Sequence, residues 1–307
     1  MPRDTTNPKP RWANWPDDRL LPLRFADLGI ELRDCPALLT DLEKLNHELK
    51  QRGLARFHPH AWLSSEWFSP DGIPGIALPF YLAHPRLMKL EKSLMLEVEG
   101  GPLRQRMRIL RHEAGHAVCN AYRLHRRKAF RELFGSVTTP YPDSYKPDPA
   151  SRLFVTHLDA WYAQAHPAED FAETFAVWLT PNAGSKPRWR KQYAGWPALR
   201  KLEYVDRLMA EVGDTAPPVR TRRVVEPLRQ LDTTLHDHYQ QKRWLYADSF
   251  PDFYDRDLRK MFSDDDAYML RPTAASFLRK ARPALRDEVA RWTGAHTYTI
   301  DQVLRDM

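Results

Sequence analysis

Apolar and polar positions alternate along this chain with two different periods, and prolines separate the stretches in which each period holds. From Pro36 to Leu54, Leu38, Leu42, Leu45 and Leu49 recur at three- and four-residue intervals and the stretch closes on Gly53, which predicts an amphipathic helix with a glycine stop. Ala61 to Tyr81 is instead rich in aromatic and β-branched residues around a Pro-Asp-Gly step, which predicts a hairpin or short strand pair. Helical spacing returns from Leu103 to about Arg123, with Leu103, Met107, Leu110, Ala114, Val118 and Ala121 on one face. It recurs at Pro167–Leu179 and Arg188–Val212, with a turn-rich stretch at Gly135–Ser151 between the first two of these helices. Gly213–Arg223 combines Gly, Pro-Pro and charge and reads as a linker, after which Val225–Tyr246, Ala274–Trp292 and Ile300–Met307 look helical.

This pattern predicts an α+β, mainly helical fold: a polar, Pro-rich leader over 1–20, a main domain over 21–212 with a small β-sheet, a linker over 213–223 and a helical C-terminal region over 224–307. Trp244, Tyr246, Phe250, Phe253 and Tyr254 are expected to pack that region against the domain.

Composition narrows the possible functions. Two cysteines among 307 residues cannot build a disulfide framework or a four-thiolate metal site, and neither G-x-x-x-x-G-K nor G-x-G-x-x-G occurs. The leader lacks an apolar core and no apolar run approaches the roughly 20 residues of a membrane span, so a cytoplasmic protein without a membrane partner is expected. The net charge of +7 permits an acidic partner. Residues 213–307 carry 16 Lys and Arg against 15 Asp and Glu, so no basic nucleic-acid arm is expected there. The runs Arg123–Arg131 and Lys186–Tyr193, the latter with Trp189 interleaved, read either as solvated helix faces or as contacts of a protease working on nucleic-acid-bound proteins.

One motif carries chemistry. In LRHEAGHAVCNAY, His112 and His116 stand at i and i+4, one above the other on a helix, and can meet a single Zn²⁺. Glu113 lies beside them, placed to take a proton from an activated water. A catalytic zinc usually has three protein ligands. Cys119 and Tyr122 stand where a metzincin would have its glycine and third histidine. The remaining class draws a glutamate from a second helix, and HPAEDFAETFAVWL offers Glu169 for the metal and Glu173, one turn on, to receive the other N–H of a ligand histidine. The alternative for this pair is a solvated acidic face.

The segments RHEAGHAVCNAYRLHRR, LFGSVTTPYP and HLDAWYAQAHPAEDFAETFAVWLTP resemble the bacterial zinc-binding metallopeptidases of the glutamate-liganded (gluzincin) class, over roughly residues 20–212. The resemblance implies a zincin-like domain, one Zn²⁺ per chain, a peptide or protein substrate, and ligands His112, His116 and Glu169 with Glu173 behind them. The two helices are similar to those of thermolysin-like enzymes. Lethal factor has a tyrosine seven positions before its glutamate ligand, and the match here is Tyr162, the implied electrophile; packing of Trp161-Tyr162 beside the helix is the alternative. Tyr141, Tyr145 and His157 are weaker candidates for that role, and His157 or His125 are alternative ligands. Ile76–Tyr81 is the expected strand along the cleft. The rival to catalysis is a non-catalytic zinc-stabilised module. His236, His238 and Asp264–Asp266 show no trusted ligand spacing, and His58 and His60, which flank a proline, read as surface residues with a cleft lining as the alternative.

Overall fold

The computed structural model describes residues 10–142, 145, 147–181, 187–247, 261–263, 265 and 274–306. These form a mainly helical α+β fold with one small sheet. In chain order the elements are α1 (Asp17–Leu20), α2 (Pro36–Gln51), β1 (His60–Ser64), β2 (Gly75–Pro79), α3 (Pro85–Met95), α4 (Leu103–Tyr122), α5 (Lys128–Phe134) and α6 (Pro167–Leu179). They continue with α7 (Arg188–Gln192), α8 (Leu199–Val212), α9 (Leu235–Ala247), α10 (Ala274–Thr293) and α11 (Thr297–Asp306). No helix among the described residues is long and apolar enough to cross a membrane.

Local signals place most boundaries. After α2, Gly53 takes φ +86°, the left-handed conformation that ends a helix at little cost for glycine. α6 begins where Pro167 occupies the first turn and His166 caps it, its Nδ1 accepting from the Ala168 N–H at 3.2 Å. Leu103 opens α4 but is 49% exposed, so the apolar face starts at Met107. The run 188–212 is two helices, because Pro197 follows Trp196 at the break. α3 lies in a stretch for which periodicity suggested no helix, although Pro85 in its first turn and the buried Leu87, Leu90 and Met95 were usable signs. The last third differs too: residues 225–234 hold no α-helix, and the helix expected from Val225 starts at Leu235.

The strand pair is present but is not a hairpin. β1 and β2 are parallel, with His60 opposite Gly75 and Ser64 opposite Pro79. The connection folds back so that the Ala77 N–H donates to the Phe68 carbonyl at 2.8 Å in an antiparallel bridge. Asn120 of α4 holds the Pro70-Asp71-Gly72 turn: its Nδ2 donates to the Pro70 and Ile73 carbonyls at 2.9 and 3.2 Å, and its Oδ1 accepts from the Gly72 N–H at 3.1 Å. All five residues of β2 are buried. With β1 on one side and the Phe68 segment on the other, β2 cannot offer an edge to a peptide; Glu66–Ser69 rims the cleft instead.

α4 runs through the centre of the molecule. Arg111 reaches α2 and donates twice to Glu48, at 2.7 and 2.8 Å, in a buried bidentate pair. On another face α4 meets α6, whose Phe171, Phe175 and Trp178 are at most 2% exposed, each contributing roughly 1.5–3 kcal/mol through burial. The two helices touch backbone to backbone: a Cβ on Gly115 would stand 2.8 Å from Ala172 Cα and 3.1 Å from its carbonyl oxygen.

The segment 213–234 lies along the rest of the molecule. Val219 N–H donates to the Ala121 carbonyl at 3.1 Å, Trp62 Nε1 to Val225 at 2.8 Å and Ser64 Oγ to Glu226 at 2.7 Å. α9 is then fastened by buried Lys242, whose Nζ lies 2.6 Å from Glu66 and 3.0 Å from Glu91. Trp244 points outward at 63% exposure rather than packing inward; Phe250, Phe253 and Tyr254, like Asp264 and Asp266, lie outside the described residues.

Gly115→Ala separates two opposing effects. Helix propensity favours alanine by about 0.5–1 kcal/mol. A methyl group against the Ala172 backbone costs about 1–3 kcal/mol. The variant is therefore expected to melt a few degrees below the parent in a calorimetric scan; an equal or higher Tm would mean that the helices part without cost.

Candidate metal centre

Two turns of α4 and the first turn of α6 bring three donor atoms together. His112 Nε2 and His116 Nε2 are 3.1 Å apart, and Glu169 Oε2 lies 3.0 Å from the first and 3.2 Å from the second. Among the described residues this is the one group of three or more His, Cys, Asp or Glu side chains with ligand atoms close enough to share an ion. Ligand atoms held about 2.0–2.2 Å from a tetrahedral ion lie roughly 3.3–3.5 Å from one another, so the triangle fits Zn²⁺ within a few tenths of an ångström.

The surroundings fix the donors' protonation. Glu173, fully buried, accepts from His112 Nδ1–H at 2.7 Å through Oε1 and from the Leu158 N–H at 2.7 Å through Oε2. That bond places a proton on Nδ1, and against the opposing effect of burial the bonds to Glu169 and Glu173 push the ring well above the usual histidine range, so Nε2 also carries a proton toward Glu169, one that an ion bound there would displace. Burial alone would raise both carboxyls. His116 and His112 outweigh it at Glu169, and the hydrogen bond from His112 outweighs it at Glu173, so both lie below the usual carboxylate range.

Tyr141 approaches the ligand carboxylate from the other side, its O–H donating to Glu169 Oε1 at 2.6 Å. Its ring stacks on His166 with centroids 3.8 Å apart, and His166 is bound to Thr139 O at 2.8 Å while capping α6. One histidine thus anchors both α6 and the tyrosine bound to Glu169. Tyr141, by sequence a weaker candidate for the electrophile, is turned toward Glu169, a position that no spacing rule signals. Tyr162 sits on a 3₁₀ turn over Asp159–Gln164 in which Trp161 takes φ +51°, and its ring centroid is 5.7 Å from that of His112. Burial, reinforced by the nearby carboxylates, raises both phenols and keeps them protonated as donors.

Glu113 is buried, lines the cleft, and has a carboxylate oxygen, Oε2, without a hydrogen-bond partner. Burial pushes its carboxyl up while His112 and His116 oppose that shift. A buried acceptor left open costs about 1–3 kcal/mol, and a water or substrate in the cleft would recover it.

The remaining candidates separate from the site or support it. His157 is buried behind Glu173 with Nε2 bonded to the Arg108 carbonyl at 3.0 Å, and burial lowers it to about 4, so it is neutral. Cys119 faces His125, Sγ 3.8 Å from Nδ1, and burial pushes its thiol up to about 12; neither joins the triangle. Tyr145 lines the cleft, whereas His58 and His60 line a separate depression formed with residues 216–222. His236 pairs with Asp237 at 3.3 Å, and His238 lies 3.4 Å from Glu66 in the cleft wall. In the basic runs, Trp189 is 2% exposed and unavailable for stacking, Arg127 pairs with Glu211, and Arg190 pairs with Asp206; Lys186 lies outside the described residues.

The centre opens into a cleft of about 1200 Å³. Seven carboxylates line it against three Lys and Arg, so a substrate meets an acidic surface even though the chain carries +7.

A pair of helices that carries two histidines and a glutamate to one point defines a candidate mononuclear metal site. Residues 97–183, which contain α4, α6 and all three donors, match the model of the family described as "Putative zinc-binding metallo-peptidase". That span is under a third of the chain, and over it the chain is similar to this family. No match to a curated protein or to a solved structure was found.

Glu173→Ala frees the His112 ring and removes the acceptor that fixes its tautomer. Zinc affinity is expected to fall about 10- to 100-fold, measured by competition against a chelator, with the helical circular dichroism retained. Parent-like affinity would show that packing alone orients His112.

Proposed function

We propose that the protein is a zinc-dependent peptidase of the glutamate-liganded class, with one Zn²⁺ per chain held by His112, His116 and Glu169 and with residues 21–212 as its catalytic unit. Zinc in that position would lower the pKa of a water and polarise a peptide carbonyl. The observation that carries the reading is Glu113, a buried carboxylate at the rim of the donor triangle with an oxygen that no protein group satisfies. A closed structural site has no use for such a group, which weighs against the zinc-stabilised module. The pairing of Arg127 and Arg190 with acidic partners and the burial of Trp189 weigh against a nucleic-acid role.

In this scheme Glu113 takes the proton of the attacking water and passes it to the leaving nitrogen; its upward-shifted carboxyl suits both steps. Tyr162, protonated and beside His112, donates to the oxygen on which negative charge develops. Glu173 and Tyr141 hold His112 and Glu169 in place throughout.

Two variants test these roles. Glu113→Gln keeps the shape and removes the base, so peptide hydrolysis should fall at least about 100-fold while elemental analysis still finds about one zinc per chain. Hydrolysis retained with zinc bound would remove Glu113 from the mechanism. Tyr162→Phe should lower kcat about 10- to 100-fold with little change in KM. Unchanged turnover would reduce Tyr162 to packing.

A further inference from the structure

Part of the wall of the cleft that holds the donor triangle is built from the C-terminal third of the chain, outside the span that matches the family. His238, Gln241, Lys242 and Leu245 of α9 line it at i, i+3, i+4 and i+7, which is one helical face. Arg291 at the end of α10 and Thr299 on α11 extend the same wall. We infer that this wall is the binding surface for an extended polypeptide, which the cleft takes in preference to a small ligand. The inference rests on the peptidase reading for what happens to that polypeptide, but binding can be read without turnover.

Three observations carry it. The cavity, at about 1200 Å³, exceeds the roughly 300–1,000 Å³ of ordinary small-molecule pockets. The α9 face spans seven residue steps, about 10 Å at 1.5 Å per residue, which is the length of about three residues of extended chain. The wall is also held in place. Lys242 is buried between Glu66 and Glu91, and His296 and Thr297 bind Glu97, with His296 Nε2 2.8 Å from Oε1 and the Thr297 N–H donating to Oε2 at 3.3 Å. On this fixed face Lys242 is recessed into ion pairs and His238 lies against Glu66, while Gln241 and Leu245 stay exposed. An amide that can pair with a peptide backbone and a 60%-exposed leucine side by side suit an extended chain of mixed sequence.

The test uses the full-length, zinc-loaded Glu113→Gln protein, which separates binding from hydrolysis. Its probes are fluorescein-labelled hen lysozyme, reduced and carboxamidomethylated, as a basic unfolded polypeptide suited to the acidic lining, and a labelled tripeptide. Fluorescence anisotropy should show the unfolded chain binding at least 10-fold more tightly than the tripeptide. Adding Gln241→Ala and Leu245→Ser should weaken that binding at least 5-fold, whereas Trp244→Ala, an exposed α9 residue outside the cleft, should not. Both substituted positions are exposed, so the melting temperature should hold. Equal affinity for the two probes, no binding of the unfolded chain, or parent-like affinity in the double variant would each overturn the inference. Binding that follows the expected pattern without any hydrolysis by the unmutated protein would leave the wall standing and remove the peptidase reading.

Discussion

The approach of α4 to α6 at Gly115 and Ala172 is the contact on which the centre depends. Two helices carrying ordinary side chains at their crossing stay about 8–10 Å apart, and shorter approaches need a residue without a side chain. Gly115 supplies it one residue before His116, so the closest point of the crossing and the ligands share a turn. Glu169 and Glu173 lie three residues before and one after Ala172, and the same contact brings both carboxylates within reach of the imidazoles. A glycine inside a 20-residue helix is locally unfavourable by up to about 1 kcal/mol. The tertiary contact offsets that cost.

Around this crossing the buried charges are arranged in pairs. Arg111 meets Glu48, Lys201 meets Asp170 at 2.6 Å, and Lys242 meets Glu66 and Glu91. Such pairs contribute little net stability, yet losing one partner strands the other, so they fix how the elements fit together. The donor triangle obeys the same rule with imidazoles in place of cations: Leu158 and His112 satisfy Glu173, and Tyr141 takes the free oxygen of Glu169. Glu91 and Asp170 each keep one oxygen without a hydrogen bond but have a lysine beside them. Glu113 has an open oxygen, no Lys or Arg partner among the described residues and a place beside the donor triangle in the cleft, which is where chemistry is to be sought.

The C-terminal third changes the meaning of the cleft. Without α9 and the turn between α10 and α11, the donor triangle would lie on an open face. With them it lies at the bottom of a groove whose lining is acidic. The basic excess of the chain sits elsewhere, on outer helix faces where Arg127 and Arg190 find acidic partners. Net charge is a property of the whole surface, whereas a substrate responds to the lining it touches.

What was legible in the sequence was what depends on local spacing. The i, i+4 histidines, the helices over 103–122 and 167–179, the glycine after α2 and the glutamate pair on one face all follow from 3.6 residues per turn and from backbone preferences that act within a few residues. The parallel pairing of β1 with β2, the hold of Asn120 on the Pro70-Asp71-Gly72 turn, the bond from Tyr141 to Glu169 and the docking of α9 through Lys242 join residues between 15 and 176 positions apart. No periodicity encodes such contacts, because they depend on which surfaces remain to be buried once every element has formed. The sequence by itself determined which residues could hold a metal. Only the tertiary structure decided that Tyr141 would take up Glu169 and that a wall from the far end of the chain would line the cleft.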